Sequence, residues 1–200
     1  MLAHLIITTL LAAAPGPLKT VRSGYEDVQK AATAPGATIE KVAQAVDRFV
    51  DFEELARRAL GDTWNSITPT QRKELTGAMR GMLRSFYAQR ILSQPDNEVT
   101  YGQELLQGNE STVSTVLRVE GNRIPITYKL YRAAPKEKSW RIYDIVTADV
   151  SLLEDYRSQF SQLLAEQGFD GLLSTIKARQ AQLHQPTATS KAPKKKTKKK

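Results

Sequence analysis

The sequence has no cysteine and only two histidines, His4 and His184, near opposite ends of its 200 residues. Without a thiol there is no disulfide framework, thiolate nucleophile or Cys-based zinc site, and no N-terminal cysteine to carry a lipid anchor. A Ser-His-Asp arrangement, an HExxH zinc site or a histidine general base would each lack its central residue, because neither histidine lies in a segment expected to fold. Past the N-terminal stretch there is no run of about 20 apolar residues, the length a membrane-spanning helix needs. Aromatics are sparse at 7%, yet 40% apolar residues suffice for the core of one ordinary domain.

Acidic residues are missing from one place in particular. Residues 191–200, KAPKKKTKKK, hold seven lysines and no acid, so of the net charge of +8 only +1 belongs to residues 1–190, with 22 basic and 21 acidic groups. From Gln185 onward Pro, Thr, Ala, Ser and Lys dominate, a composition that cannot bury enough apolar surface to fold, and 185–200 is expected to be a disordered Lys-rich tail. Two readings of it stand: contact with an anionic membrane, where clustered lysines contribute about 1 kcal/mol each, or a solubilising terminus. A nucleic-acid-binding protein acting through the tail is an alternative for the whole chain. The nearly neutral body, with no basic stripe interleaved with aromatics, argues against it, and no nucleic-acid partner is expected.

At the other end, the apolar run from Leu5 to Ala14 is too short to span a bilayer and closes on Ala12-Ala13-Ala14, as an export signal does. The organisation expected is a signal peptide over 1–14, one domain over 15–184 and the tail.

Within that domain helical spacing comes first. Leu18, Val21, Tyr25 and Val28 share a helix face, as do Ile39, Val42, Ala43, Val46 and Val50 after the Ala34-Pro35-Gly36 break, with Thr38 as cap. Asp51 and Glu54 have capping-box spacing and open a short helix that Gly61 stops. Thr68-Pro69-Thr70-Gln71 is a stronger start signal, followed by a long helix carrying Leu75, Met79, Met82, Leu83, Phe86, Tyr87 and Ile91. After Pro95 the period changes to two: Val113 to Val119 and Ile124 to Leu130 flank a turn at Gly121-Asn122, Trp140 to Val146 forms a third strand after the loop Pro135 to Ser139, and Val99 to Leu105 a weaker one in front. The connections are too short for crossovers, so the sheet is antiparallel. Ser151 and Glu154 form another capping box, Gly168 ends that helix, and Asp170 caps a last one. The fold class is α+β: a curved antiparallel sheet of about four strands enclosed by N- and C-terminal amphipathic helices, whose facing apolar sides can be filled by side chains or can leave an apolar cavity.

No phosphate-binding loop, metal cluster or nucleophile elbow is present. Asp144 stands inside an apolar strand, where an unpaired carboxylate is costly. A structural acid held by Arg141 or a backbone amide is expected, with an enzyme using Asp144 in a pocket as the alternative.

Three segments, Trp64-Asn65-Ser66-Ile67-Thr68-Pro69-Thr70-Gln71-Arg72, Trp140-Arg141-Ile142-Tyr143-Asp144-Ile145-Val146 and Ser151-Leu152-Leu153-Glu154-Asp155-Tyr156-Arg157-Ser158-Gln159-Phe160, resemble those of the MlaC/toluene-tolerance family, as does Gly168-Phe169-Asp170-Gly171-Leu172-Leu173. The resemblance implies a non-enzymatic periplasmic carrier that holds phospholipid as cargo in an apolar cavity between sheet and helices, without a cofactor, and exchanges it with an inner-membrane ABC transporter complex and an outer-membrane lipoprotein complex; a monomer is expected. Parity and helical phase then nominate a lipid-binding wall of Leu117, Val119, Ile126, Tyr128, Leu130 and Ile142 from the sheet. The helices would add Phe49, Phe52, Met79, Met82, Leu83, Phe86, Tyr156, Phe160 and Leu164. Each of these residues fits an ordinary core equally well.

Overall fold

The change of period near residue 98 is where helices give way to sheet. The computed structural model describes residues 15–95, 97–132 and 139–184; residues 1–14, expected to be a signal peptide, most of the 135–139 loop and the Lys-rich segment 185–200 lie outside them. The order is α1 (Pro17–Thr33), α2 (Ile39–Asp47), α3 (Phe52–Leu60), α4 (Thr63–Ser66), α5 (Pro69–Ser93), β1 (Glu98–Gln107), β2 (Glu110–Val119), β3 (Asn122–Arg132), β4 (Trp140–Thr147), β5 (Val150–Ser151) and α6 (Leu152–His184). The fold is α+β, as expected, with five strands in place of about four. They form an antiparallel meander in the order β1-β2-β3-β4-β5.

Local chemistry explains most boundaries. At α5 the Thr68 hydroxyl accepts from the Gln71 amide (3.2 Å) while the Gln71 side chain accepts from the Thr68 amide (2.9 Å), a complete capping box. The boxes expected at α3 and α6 are one-sided. Asp51 accepts from the Glu54 amide (3.0 Å), but the Glu54 carboxylate turns to Arg57 and Arg58, and the Asp51 N–H is already taken by the Ile142 carbonyl (2.7 Å). Ser151 likewise accepts from the Glu154 amide (3.1 Å) while Glu154 pairs with Arg157. The β2–β3 turn falls on Glu120-Gly121, one residue earlier than expected, with both φ angles positive (49° and 81°), as a two-residue hairpin turn demands. Gly168, with φ 66°, breaks α6, but the chain resumes helix at once and continues to His184, the last residue of the expected domain, so that His184 itself stands in a helix. Asp170 lies exposed in the first turn after the break.

The helical layer hangs from β4. Between α2 and α3 the chain pairs with the strand at Val50 and Ile142: the Asp51 amide donates to the Ile142 carbonyl, and the Ile142 amide to the Phe49 carbonyl (2.8 Å). The Arg141 guanidinium donates to the carbonyls of Asp47, Arg48 and Val50 at the end of α2. Arg58 of α3 stacks over the Tyr143 ring, 3.7 Å from its centroid, and pairs with Glu110 (2.8 Å). Around this anchorage Leu55, Leu75, Met79, Leu130, Ile142, Phe160, Leu172 and Ile176 are fully buried.

Helix α1 is held differently. Its fastenings to the sheet side are polar: the Leu18 amide donates to Glu104 of β1 (2.8 Å), Arg22 lies over the Tyr101 ring (4.5 Å), and the Tyr25 hydroxyl donates to the Asn97 carbonyl (2.6 Å). Gly24 lets α1 approach the α2–α3 connection, since a Cβ there would stand 2.7 Å from the Phe49 ring. Gly24→Ala is expected to displace that ring and lower stability by about 1–3 kcal/mol, or about 2–10 °C in melting temperature. Calorimetry of the variant, with unchanged melting as the contrary result, checks this.

Candidate functional site

Burial along the central strands is graded. Val113 and Leu130, at one end of the β2–β3 pair, are inaccessible, whereas Leu117, Val119, Ile124 and Ile126 on the same face toward the hairpin turn are only half-buried. The space they face is a partly open cavity of about 430 Å³, within the range of ligand pockets, between the sheet and helices α1, α3 and α5. Its wall follows the periods of the sequence. Strand positions alternate, Leu117 and Val119 on β2 and Ile124, Ile126 and Tyr128 on β3; α5 contributes Leu83, Phe86, Tyr87 and Ile91 at helical spacing. The α2–α3 corner adds Phe49, Val50, Phe52 and Leu55, and α1 closes the far side with Val21, Tyr25 and Val28.

Of the residues nominated from sequence, Phe49, Phe52, Leu83, Phe86, Leu117, Val119, Ile126, Tyr128 and Ile142 line this cavity. Met82 and Tyr156 instead line a second, more open recess of about 360 Å³ between α5 and α6, which shares Leu83, Phe86, Tyr87 and Leu152 with the first. Met79, Leu130 and Phe160 are closed core, 0% exposed, and Leu164 packs against that core without reaching either space. These four placements share a cause: phase and parity give the face of an element, but where along that face the helices close over it depends on packing.

Residues beyond the sequence reading complete the wall. Ile145 and Thr147 line it because the register slips between the Lys129–Asp144 and Leu130–Ile142 pairs, leaving Tyr143 as an extra residue and shifting the parity of β4. The polar lining clusters at one end, where Gln29, Arg90, Gln94 and Asn97 meet. Gln29 donates to the Tyr25 hydroxyl (2.6 Å) and the Asn97 carbonyl (3.2 Å), and the Asn97 amide to the Gln94 carbonyl (2.7 Å). No sequence motif marks this group; its members come from α1, α5 and the connection between α5 and β1.

A profile of the MlaC protein family matches residues 20–178. The chain belongs to the MlaC family. It is 24% identical over 131 residues to a protein of Haemophilus influenzae described as the intermembrane phospholipid transport system binding protein MlaC; that match spans 64% of this chain and 61% of the relative. A solved structure from Ralstonia solanacearum, described as a phospholipid-binding protein in complex with a phospholipid, superposes with a TM-score of 0.75 at 24% identity, covering 83% of this chain and 97% of that one. The architecture described above is thus shared with that structure.

Asp144, the residue that kept an enzymatic reading open, is 1% exposed on the wall of this MlaC-family cavity. It accepts from the Lys129 ammonium (2.9 Å), the Ser151 hydroxyl (2.7 Å) and the Leu153 amide (2.9 Å). Lys129, not Arg141, is its ionic partner, because Lys129 lies directly opposite it across the β3–β4 register while Arg141 is committed to the end of α2. The carboxylate therefore joins β3, β4 and the first turn of α6. Among the described residues no group of three or more His, Cys, Asp or Glu side chains could hold a metal ion, and no helix is long and apolar enough to cross a membrane.

Asp144→Ala strips Lys129 and the Leu153 amide of their acceptor; with Lys129 about a third exposed, a loss of about 2–3 kcal/mol in denaturant unfolding is expected. Burial also pushes the phenols of Tyr128, Tyr143 and Tyr156 up to about 12 from 10.0. Because folding raises these values, their contribution is complete below pH 10 and is lost as pH rises from there through about 12. Unfolding curves should weaken across that window together with the appearance of tyrosinate absorbance.

Proposed function

We propose that this protein is an exported phospholipid carrier that buries acyl chains in the cavity between its sheet and helices. The observation that carries the reading is the cavity itself: a fold with a well-closed core elsewhere leaves about 430 Å³ open, walled mainly by aliphatic and aromatic side chains, with Gln29, Arg90, Gln94 and Asn97 forming a polar group at one end. That is the shape of a site for an amphiphile. Membership of the MlaC family supports it, as do the descriptions of the Haemophilus and Ralstonia proteins.

The energetics explain why such a carrier is needed. At about 0.8 kcal/mol per CH₂, exposing two chains of about 16 carbons to water costs about 25 kcal/mol, so unassisted crossing of an aqueous compartment is negligible. A dry apolar pocket offsets most of that cost. The task requires burial and release, with no bond made or broken, which fits a wall whose one carboxylate is fully engaged. We place the protein in the periplasm, where the Leu5–Ala14 run would direct it, shuttling lipid between outer- and inner-membrane complexes and so maintaining the lipid asymmetry of the outer membrane.

Gentle purification followed by solvent extraction and mass spectrometry is expected to yield stoichiometric phospholipid. A lipid-free protein that retards DNA would overturn the reading. Leu83→Trp and Leu117→Trp, which place an indole in the cavity, should reduce co-purifying lipid severalfold while circular dichroism stays that of the parent; unchanged occupancy in both would remove these residues from the site.

A further inference from the structure

The cavity wall carries two charged side chains, Asp144 and Arg90. The charge of Asp144 is matched by Lys129 at 2.9 Å. Arg90 has no carboxylate partner among the described residues; Glu120, in the hairpin turn, is engaged by the Gln94 side-chain amide (3.2 Å). Among the described residues, the charge on the cavity wall without an opposite partner is thus one guanidinium, exposed on the last turn of α5 beside Tyr87, whose phenol it acidifies against the opposing effect of burial. It stands at the polar end, where the Asn97 carboxamide oxygen is also buried without a hydrogen-bond partner among the described residues.

A cation in the last turn of a helix has an ordinary use, since it offsets the partial negative charge of the terminal carbonyls. Arg90 does more than that, because it also lines the cavity. The carbonyl end of α5 would repel an anion, and the guanidinium reverses the sign of that end, offering forked donors suited to phosphate oxygens. The other polar groups here, Gln29, Gln94 and Asn97, are occupied largely with one another.

We propose that Arg90 is the anion-binding residue of the cavity and engages the phosphodiester of the lipid whose chains fill the apolar part; the proposal rests on the carrier reading above. Recognition then reads the phosphate, common to zwitterionic and anionic phospholipids, and discriminates against neutral diacyl lipids of the same chain content.

The test is competitive loading of delipidated full-length protein from mixed micelles of dioleoyl phosphatidylethanolamine and dioleoylglycerol, with bound lipid quantified by mass spectrometry. The parent is expected to favour the phospholipid. Arg90→Gln should cut that preference about fivefold to tenfold, the range for one partly exposed charge-assisted contact, without lowering diacylglycerol uptake. Arg90→Lys should retain part of it and Arg90→Glu should lose more than Arg90→Gln. Equal preference in the parent and both Arg90→Gln and Arg90→Glu would overturn the assignment while leaving the carrier intact, whereas a parent that loads neither lipid would overturn the carrier reading as well. Excess inorganic phosphate is expected to leave loading unchanged; displacement of the preference by phosphate would assign the site to a free anion instead.

Discussion

The structure depends on one attachment, the suspension of the α2–α3 corner from β4. Two backbone hydrogen bonds at Ile142, three carbonyl contacts from Arg141 and the Asp51–Tyr131 hydrogen bond (2.6 Å) fix the distance between the helical layer and the sheet at that point. With the spacing set there, the core closes at the Val113–Leu130 end and the layers part toward the β2–β3 turn. Directional backbone bonds can hold two layers apart in a way that apolar contact alone cannot, because apolar contact favours any collapse that removes area from water.

Keeping such a space has a cost. At about 24 cal/mol per Å³, the slope for cavities left in apolar cores, an empty volume of 430 Å³ corresponds to about 10 kcal/mol, as large as the whole stability of a typical domain. The open mouth admits water and lowers that figure, yet the direction stands: occupancy by hydrocarbon is favoured over emptiness. Helix α1 closes the cavity wall with Val21 and Val28, which are buried in the same core as Val46 and Ile142, and is held further by the Leu18–Glu104, Arg22–Tyr101 and Tyr25–Asn97 contacts.

Much of this was legible in the sequence. The change of period located the helix-to-sheet boundary, and Thr68 with Gln71 marked the start of α5 because both halves of that capping box are free to form. The boxes at Asp51 and Ser151 were legible only in half, since Glu54 and Glu154 have arginines within a turn and the caps themselves have tertiary partners. The slip at Tyr143 left no trace in composition, so Ile145 and Thr147 went unread, and Asp144 was matched with the wrong basic residue. β1 looked weak because it is an edge strand, exposed over most of its length and irregular between Tyr101 and Glu104, where a Cβ on Gly102 would meet the Ser114 hydroxyl at 2.6 Å. Depth was the hardest quantity: Met79 and Leu83 share a face of α5 one turn apart, yet one is closed core and the other wall.

The same gradient of depth bears on release. A pocket that enclosed hydrocarbon on all sides with matched packing would hold it too well to return it to a bilayer, since each buried CH₂ adds about 0.8 kcal/mol relative to water. Relative to a membrane interior, however, an apolar wall offers almost nothing, and the balance is left to the groups at the boundary. Here the boundary is mixed: Phe86, 44% exposed, bridges the two recesses, while Gln29, Gln94, Asn97 and Arg90 form the polar end. In the carrier proposed above, affinity for hydrocarbon would keep the cargo out of water, and a few polar contacts at the mouth, each small compared with the chain term, are what a docking partner would need to perturb for the lipid to leave.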